Sequence, residues 1–341
     1  MYAGVDLGLK RSGVAVIKGC KMEFITLKNE ELAEFLKEMA KIVSVDAPLT
    51  YGEVWRDCDR AVFFANPMPL NLPTMRELMK AGIKLREKIE NQLTIIESFT
   101  NGVKKILSVE LEELGYEFNK EPSKHERDAG FLAFNSFLHR YGGTEAYGRE
   151  CRIWLPMREV GNMVRQQADL KERVMIEKPG KVERVAGVDV HYKTKKAVAA
   201  AVVVKGRRVV DENITEKKVD FPYIPTLLAL RELKPVLKAL EGLDFDAIAV
   251  NAQGLGHIRL GLASHVGVLL DKPSLGITKK LVGGEKRGGE IWWRGRRVGL
   301  VRGHWCITIG HRFDFPALKR HSGEFIFAVE RAHRLAKRLA F

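Results

Sequence analysis

Apolar positions along the chain keep two different periods. Residues 13–17 and 197–204 are short β-branched runs, each followed by a tight basic turn, Lys18-Gly19-Cys20-Lys21 or Lys205-Gly206-Arg207-Arg208. Such runs joined by Gly-containing turns predict antiparallel hairpins. Further on, residues 32–39 and 227–240 place apolar side chains at helical spacing, which predicts an amphipathic helix in each place. Each is followed by a run that reads as a buried strand with a polar end: Ile42-Val43-Ser44-Val45-Asp46-Ala47 and Ala247-Ile248-Ala249-Val250-Asn251-Ala252.

These elements recur in the same order because the chain repeats itself. Ala3-Gly4-Val5-Asp6-Leu7 is echoed by Ala186-Gly187-Val188-Asp189-Val190, and a short lysine-containing stretch follows each copy. Three antiparallel strands, a helix and a strand ending in a polar residue describe the RNase H-like fold. There the first and fourth strands end side by side, so that a carboxylate on each can share a metal ion. The expected architecture is therefore α/β, with two tandem RNase H-like domains. Each would be a mixed sheet of three antiparallel strands followed by parallel strands, with flanking helices. Tyr141-Gly142-Gly143-Thr144-Glu145-Ala146-Tyr147-Gly148 is turn-rich, which places the boundary near residue 150, with domains 1–150 and 151–341. Residues 155–174 read as a helix entered through Pro156.

Composition adds a direction. A chain of 341 residues, 45% hydrophobic and 29% charged, suits two soluble domains with separate cores. No apolar run is long enough to span a bilayer, and the opening Met1-Tyr2-Ala3-Gly4-Val5-Asp6 does not read as a signal peptide. The expected location is the cytosol. A net charge of +14 attracts polyanions. Cys20, Cys58, Cys151 and Cys306 lack the spacing of a zinc or redox motif and are expected to be small buried or half-buried residues.

From about residue 155 to the end, the ordered motifs resemble endonuclease V. They include Gln167, Leu170 and Val174; Val185-Ala186-Gly187-Val188-Asp189; and Phe221-Pro222-Tyr223-Ile224-Pro225 with Leu227-Leu228-Ala229-Leu230-Arg231-Glu232. Asn251-Ala252-Gln253-Gly254-Leu255-Gly256-His257, Gly261-Leu262-Ala263-Ser264-His265-Val266-Gly267, Pro273-Ser274-Leu275-Gly276-Ile277-Thr278-Lys279 and Arg331-Ala332-His333 complete the set. The resemblance implies hydrolysis of a phosphodiester near a deaminated base, chiefly inosine, in DNA or RNA, as in DNA repair, with Mg2+ or Mn2+. Asp189 would ligate metal, Glu232 would be a second acid, His333 would assist metal or water, and Lys279 would meet the scissile phosphate. Pro222, Tyr223, Ile224 and Pro225 would form a wedge, stiff because each proline fixes its φ and restrains its predecessor. Gly254, Gly256 and His257 would belong to a pocket for a flipped base.

One position departs from the family. Asn251 stands where endonuclease V carries aspartate, whereas the first copy keeps the acid as Asp46. An amide oxygen can ligate a hard cation but brings no charge, a loss on the order of several kcal/mol in a partly dry site. The expectation is weakened cleavage by the second module with nucleic-acid binding retained. Glu330, three positions before His333, is a weaker candidate acid. Lys280, Lys286, Arg287, Arg294, Arg296 and Arg297 are candidates for phosphate contacts.

The first half resembles an uncharacterised RNase H-like nuclease family through Gly4-Val5-Asp6, Val45-Asp46-Ala47-Pro48-Leu49, Arg56-Asp57-Cys58-Asp59-Arg60, Ile96-Glu97-Ser98 and His125-Glu126-Arg127-Asp128-Ala129. Asp6, Asp46 and Asp128 would form its metal site, with Glu97 a candidate fourth member and Arg56, Arg60, Lys124 and His125 candidate phosphate contacts. Two readings stay open: an endonuclease cutting from either module, and a non-catalytic nucleic-acid-binding protein.

Overall fold

The computed structural model describes residues 1–340. Contacts divide the chain into two compact units, Met1–Arg165 and Gln166–Phe341, each described by itself below. The expected boundary at 150 thus moves into the helix Arg158–Lys171. Two features retain residues 150–165 in the first unit: a short antiparallel ribbon, and a disulfide from Cys58 to Cys151. That bridge corrects the reading of these cysteines as ordinary buried residues; sequence spacing conceals it because the partners stand 93 residues apart.

The first unit runs β1 (Tyr2–Asp6), β2 (Arg11–Lys18), β3 (Lys21–Lys28), α1 (Asn29–Met39), β4 (Ile42–Asp46), α2 (Asp57–Ala61), α3 (Pro73–Ile89) and β5 (Thr94–Ser98). It continues through α4 (Thr100–Leu107), β6 (Glu117–Phe118), α5 (Lys124–Arg140), β7 (Thr144–Tyr147) and β8 (Ile153–Pro156) into α6 (Arg158–Lys171). Leu155 and Pro156 therefore lie in a strand, and the helix expected from 155 begins at Arg158. The six-stranded sheet has the order β5-β4-β1-β2-β3-β6. Strands β1, β2 and β3 are antiparallel, and β4 and β5 run parallel to β1, so Asp6 and Asp46 are register partners.

The second unit repeats this core: β9 (Val185–Lys193), β10 (Lys196–Lys205), β11 (Arg208–Lys218), α7 (Ala229–Leu240), β12 (Ala247–Val250), α8 (Leu262–Leu270) and β13 (Ser274–Thr278). It then adds β14 (Glu285–Arg287), β15 (Glu290–Trp293), β16 (Arg296–Arg302) and β17 (Trp305–His311), and closes with α9 (Phe315–Ala340). The nine strands are ordered β11-β10-β9-β12-β13-β17-β16-β15-β14. The four-stranded antiparallel extension was not foreseen. Its trace in the sequence was the turn glycines Gly288, Gly289, Gly295 and Gly303, all at positive φ, a hairpin signal that the basic residues around them obscured.

Both cores are built alike at one point. Gly4 and Gly187 occupy equivalent places in β1 and β9, and a Cβ at either would lie inside the backbone of a helix crossing the strand, at Ala129 and Ala133 of α5 or at Ala328 of α9. Only glycine permits so close an approach. The two helices run in opposite senses, however. In the first unit His125 lies at Asp6 and Ser136 bonds to the Ala3 carbonyl, so α5 is antiparallel to β1. In the second, Ala328 faces Gly187 and His333 lies at Asp189, so α9 runs parallel to β9. Helix α9 covers the apolar face of its sheet through Phe325, Ala328, Val329, Ala332, Leu335 and Ala336. Among the described residues no helix is long and apolar enough to cross a membrane.

Candidate metal and nucleic-acid site

The second unit gathers its polar chemistry where β9 and β12 end. Residues 187, 189 and 191 share one face of β9 by strand alternation. Gly187 lets α9 close on that face, with Val329 N only 2.6 Å from where its Cβ would be. His333 is one turn beyond Val329, as Asp189 is one side-chain repeat beyond Gly187, so the two meet. His333 Nδ1 lies 2.7 Å from Asp189 Oδ2, His191 Nε2 lies 3.3 Å from the same oxygen, and the two imidazoles are 3.1 Å apart. The other carboxylate oxygen of Asp189, Oδ1, accepts a 2.7 Å hydrogen bond from the Asn251 amide.

Glu232 stands next to this cluster but outside it. It is buried on α7 and accepts a 2.7 Å hydrogen bond from the Tyr192 hydroxyl, whose ring carries the Arg231 guanidinium at 4.3 Å. Burial pushes its carboxyl up to about 7, with the charge of Asp189 adding to the shift and the Tyr192 hydroxyl opposing it. The expected metal set of Asp189, Glu232 and Asn251 is thus replaced in part. The ligating atoms that lie together belong to Asp189, His191 and His333, while the Asn251 amide nitrogen is directed at the carboxylate. His191 was missed, although its position two residues beyond Asp189 on a strand was legible. Glu330 faces Arg334 at 3.9 Å and joins no candidate metal group among the described residues.

Lys279 is exposed just beyond β13, at the same end of the sheet, with its ammonium 5.3 Å from the Trp305 ring centre. The loop leaving β12 leads from Asn251 into a cavity of about 530 Å³. Gly254, Gly256, His257, Trp293, Arg294 and Arg297 are among its lining residues. Gly254 is required because the Ile309 carbonyl of β17 occupies the space of a Cβ, not because the cavity needs it bare. Gly256 adopts φ +85°, a conformation that side chains resist. His257 is held neutral, its pKa lowered to about 3 by burial and then by the Arg259 charge.

The proline-bracketed segment is only partly a wedge. Tyr223 is 55% exposed, but Ile224 is 1% exposed and serves as an anchor. The expected projection is therefore reduced to its tyrosine end. A buried network fixes it from behind. Arg259 donates to Gln167 Oε1 at 2.9 Å and to the Thr226 hydroxyl and carbonyl at 2.5 and 3.1 Å, while Gln167 donates to the Leu260 carbonyl at 3.2 Å. Thr226 sits at φ +69°, a strained conformation that such bracing can sustain.

In the first unit Asp6 and Asp46 end paired strands, as the fold requires. Asp46 is pushed up to about 7 by burial, opposed by a hydrogen bond from Thr100 and reinforced by the charge of Asp6. Asp6 is also raised by burial, against the pull of His125. Asp6, Asp46 and Asp128 do not draw into one tight group among the described residues. Asp6 turns to His125 at 2.5 Å and Asp128 to Lys104, each carboxylate taking a protein cation as its partner. Glu97 is no fourth ligand. It accepts from Arg56 at 2.5 and 3.0 Å and from the Leu49 amide at 2.8 Å. Arg56 is itself buried between Glu97 and Asp59, and so is not available to phosphate.

Sheet order and the pairing of the first and fourth strands are those of the RNase H-like class in both units. Residues 164–309 match the family model described as Endonuclease V. Endonuclease V of Thermococcus kodakarensis is 36% identical over 157 residues, which cover 44% of this chain and 75% of that protein. The Pyrococcus horikoshii endonuclease V is 44% identical over 119 residues, 34% of this chain, and the match spans little more than half of that protein (56%). A crystal structure of endonuclease V from Streptomyces avermitilis is similar at 31% identity and a TM-score of 0.47, covering 52% of this chain and 91% of that one. The chain belongs to the endonuclease V family, through its second unit.

Proposed function

We propose that this protein is a metal-dependent endonuclease directed at deaminated bases, inosine foremost, in DNA or RNA. The observation that carries the reading is the convergence of Asp189, His191 and His333, with Glu232 beside them. The same strand end opens on an arginine-flanked cavity. A divalent ion held there would activate water and neutralise charge on the leaving oxygen. The protein's own groups supply the rest. Tyr223 is exposed to stack against a base step, and the cavity would receive the displaced base. Arg294, Arg296 and Arg297 would track phosphates, Lys279 would meet the scissile one, and Asn251 orients Asp189 through its amide. Because Asn251 brings no charge, cleavage should be slow relative to an enzyme with aspartate there.

A second reading rests on the first unit, where Asp6 and Asp46 end adjacent strands. In it, Asp6, Asp46 and Asp128 cut while the second unit recognises the base. One experiment separates the two: cleavage of a labelled inosine-containing strand with Mn2+ or Mg2+. Activity lost in Asp189→Ala and kept in Asp6→Ala is the expected outcome. The reverse pattern assigns cutting to the first unit. Binding without chelator-sensitive cleavage in any variant leaves a non-catalytic reader of such bases.

A further inference from the structure

Magnesium prefers a cage of hard oxygens, and the atoms that converge in the second unit do not offer one. They are a single carboxylate oxygen and two imidazole nitrogens. The remaining oxygen of Asp189 is engaged by Asn251. Since a carboxylate only accepts, that contact commits the amide nitrogen of Asn251 and turns its oxygen away from Asp189. Glu232 is held by Tyr192.

Hydrogen bonding alone accounts poorly for the triangle of 2.7, 3.1 and 3.3 Å sides. Each imidazole nitrogen has one lone pair or one proton in the ring plane, and the triangle's corners are about 60°, so near-linear bonds cannot join all three atoms. A shared cation explains the convergence directly. With bonds of about 2.0–2.1 Å to nitrogen and oxygen, neighbouring ligands stand roughly 2.8–3.4 Å apart in octahedral or tetrahedral geometry. The construction also repeats what makes such sites stiff: two ligands fixed on one strand face, the third on a helix held close by Gly187, and an outer amide orienting the carboxylate.

We propose that Asp189, His191 and His333 form a two-histidine, one-carboxylate site for an imidazole-preferring divalent transition ion such as Zn2+ or Co2+, and that Mg2+ is not its resident metal. The site stands on its own geometry; only the use of the ion in cleavage rests on the function proposed above. The first unit differs, since a single imidazole, His125, stands at Asp6 and no tight group of three ligating atoms forms there among the described residues.

The test uses the full chain stripped with chelator, titrated with Co2+ while its visible absorption is followed, and with Zn2+ and Mg2+ by calorimetry. The wild type should bind Co2+ and Zn2+ at one site roughly a hundredfold or more tighter than Mg2+. His191→Ala should weaken that site by roughly tenfold or more and alter the Co2+ spectrum, whereas Asp6→Ala should leave both unchanged. Asn251→Asp, which keeps shape and adds charge, should raise Mg2+ affinity at this site while the Co2+ spectrum persists. The proposal is overturned if Mg2+ matches Zn2+ in the wild type, or if the Co2+ spectrum is indifferent to His191→Ala in a protein that still unfolds cooperatively. A chain that binds Zn2+ as described yet never cuts inosine-containing strands supports the site and sinks the nuclease reading. Mg2+-supported cutting with no imidazole-bound ion does the opposite.

Discussion

Residue by residue, the second unit is made sensitive to acid by two histidines that burial keeps neutral. His265 on α8 is fully buried with neither ring nitrogen partnered, and burial lowers its pKa to about 4. His257 is lowered to about 3. Both pKa values lie below the unfolded value of 6.5, so the unfolded chain binds more protons between them. Stability is complete above pH 6.5 and falls as pH drops toward 4, by at most about 1.4 kcal/mol per pH unit for each histidine. Urea midpoints at pH 7, 6 and 5 should decline accordingly, and His265→Phe should flatten the slope. An unchanged slope in that variant would remove His265 from the explanation. Some chemistry at this scale was readable beforehand: Asp189 and His333 were named from motif order, and they do meet. His191 escaped because it matched no motif, and Glu97 was misjudged because nothing in a linear chain reveals that Arg56 folds back on it.

At the scale of elements, the closeness of a helix to a strand decides the site. Gly187→Ala would push a methyl into the Ala328 carbonyl, so α9 must move outward and carry His333 away from Asp189. A loss of roughly 1–3 kcal/mol in stability is expected, together with a marked fall in Co2+ affinity. Gly180→Ala, whose added methyl meets nothing within 4 Å, should stay within about 0.5 kcal/mol of the wild type. Equal behaviour of the two variants in unfolding and Co2+ titration would refute this account. The strands and helices of both repeats were legible because period two and period 3.6 are written in the positions of apolar residues. The β14–β17 extension was not, since its exposed edge is basic and its first strands are short. The wedge was half legible: prolines announce a stiff loop, but not that Ile224 faces inward.

For the molecule as a whole, the Cys58–Cys151 bridge closes a loop of 93 residues within the first unit. Asp57 reinforces it by accepting the backbone N–H groups of Arg149, Glu150 and Cys151. Its removal should cost roughly 2–5 kcal/mol. Calorimetry with reductant, or on Cys151→Ser, should lower the melting of the first unit and leave that of the second in place. Melting indifferent to reductant would mean the bridge does not form. Such a link is uncommon in a reducing cytosol outside hyperthermophiles, which sets it against the location expected from composition. The domain boundary was misplaced for the same reason: turn-rich composition marks a loop, whereas a covalent tie decides which side of it belongs to which body.

The opposed senses of α5 and α9 limit how the two halves can be compared. Their strands follow the same order and pairing through the fifth, but the residue facing the first-strand acid comes at the start of one helix and beyond the midpoint of the other. Any pairwise scoring that reads both halves from amino to carboxyl end will register Gly4 with Gly187 and then lose the thread at the closing helix. A shared ancestor of the halves, if traced by such scoring, would be seen only as far as the fifth strand. Transplanting the histidine of one half into the other would likewise require choosing its position by distance to the acid, never by counting along the alignment.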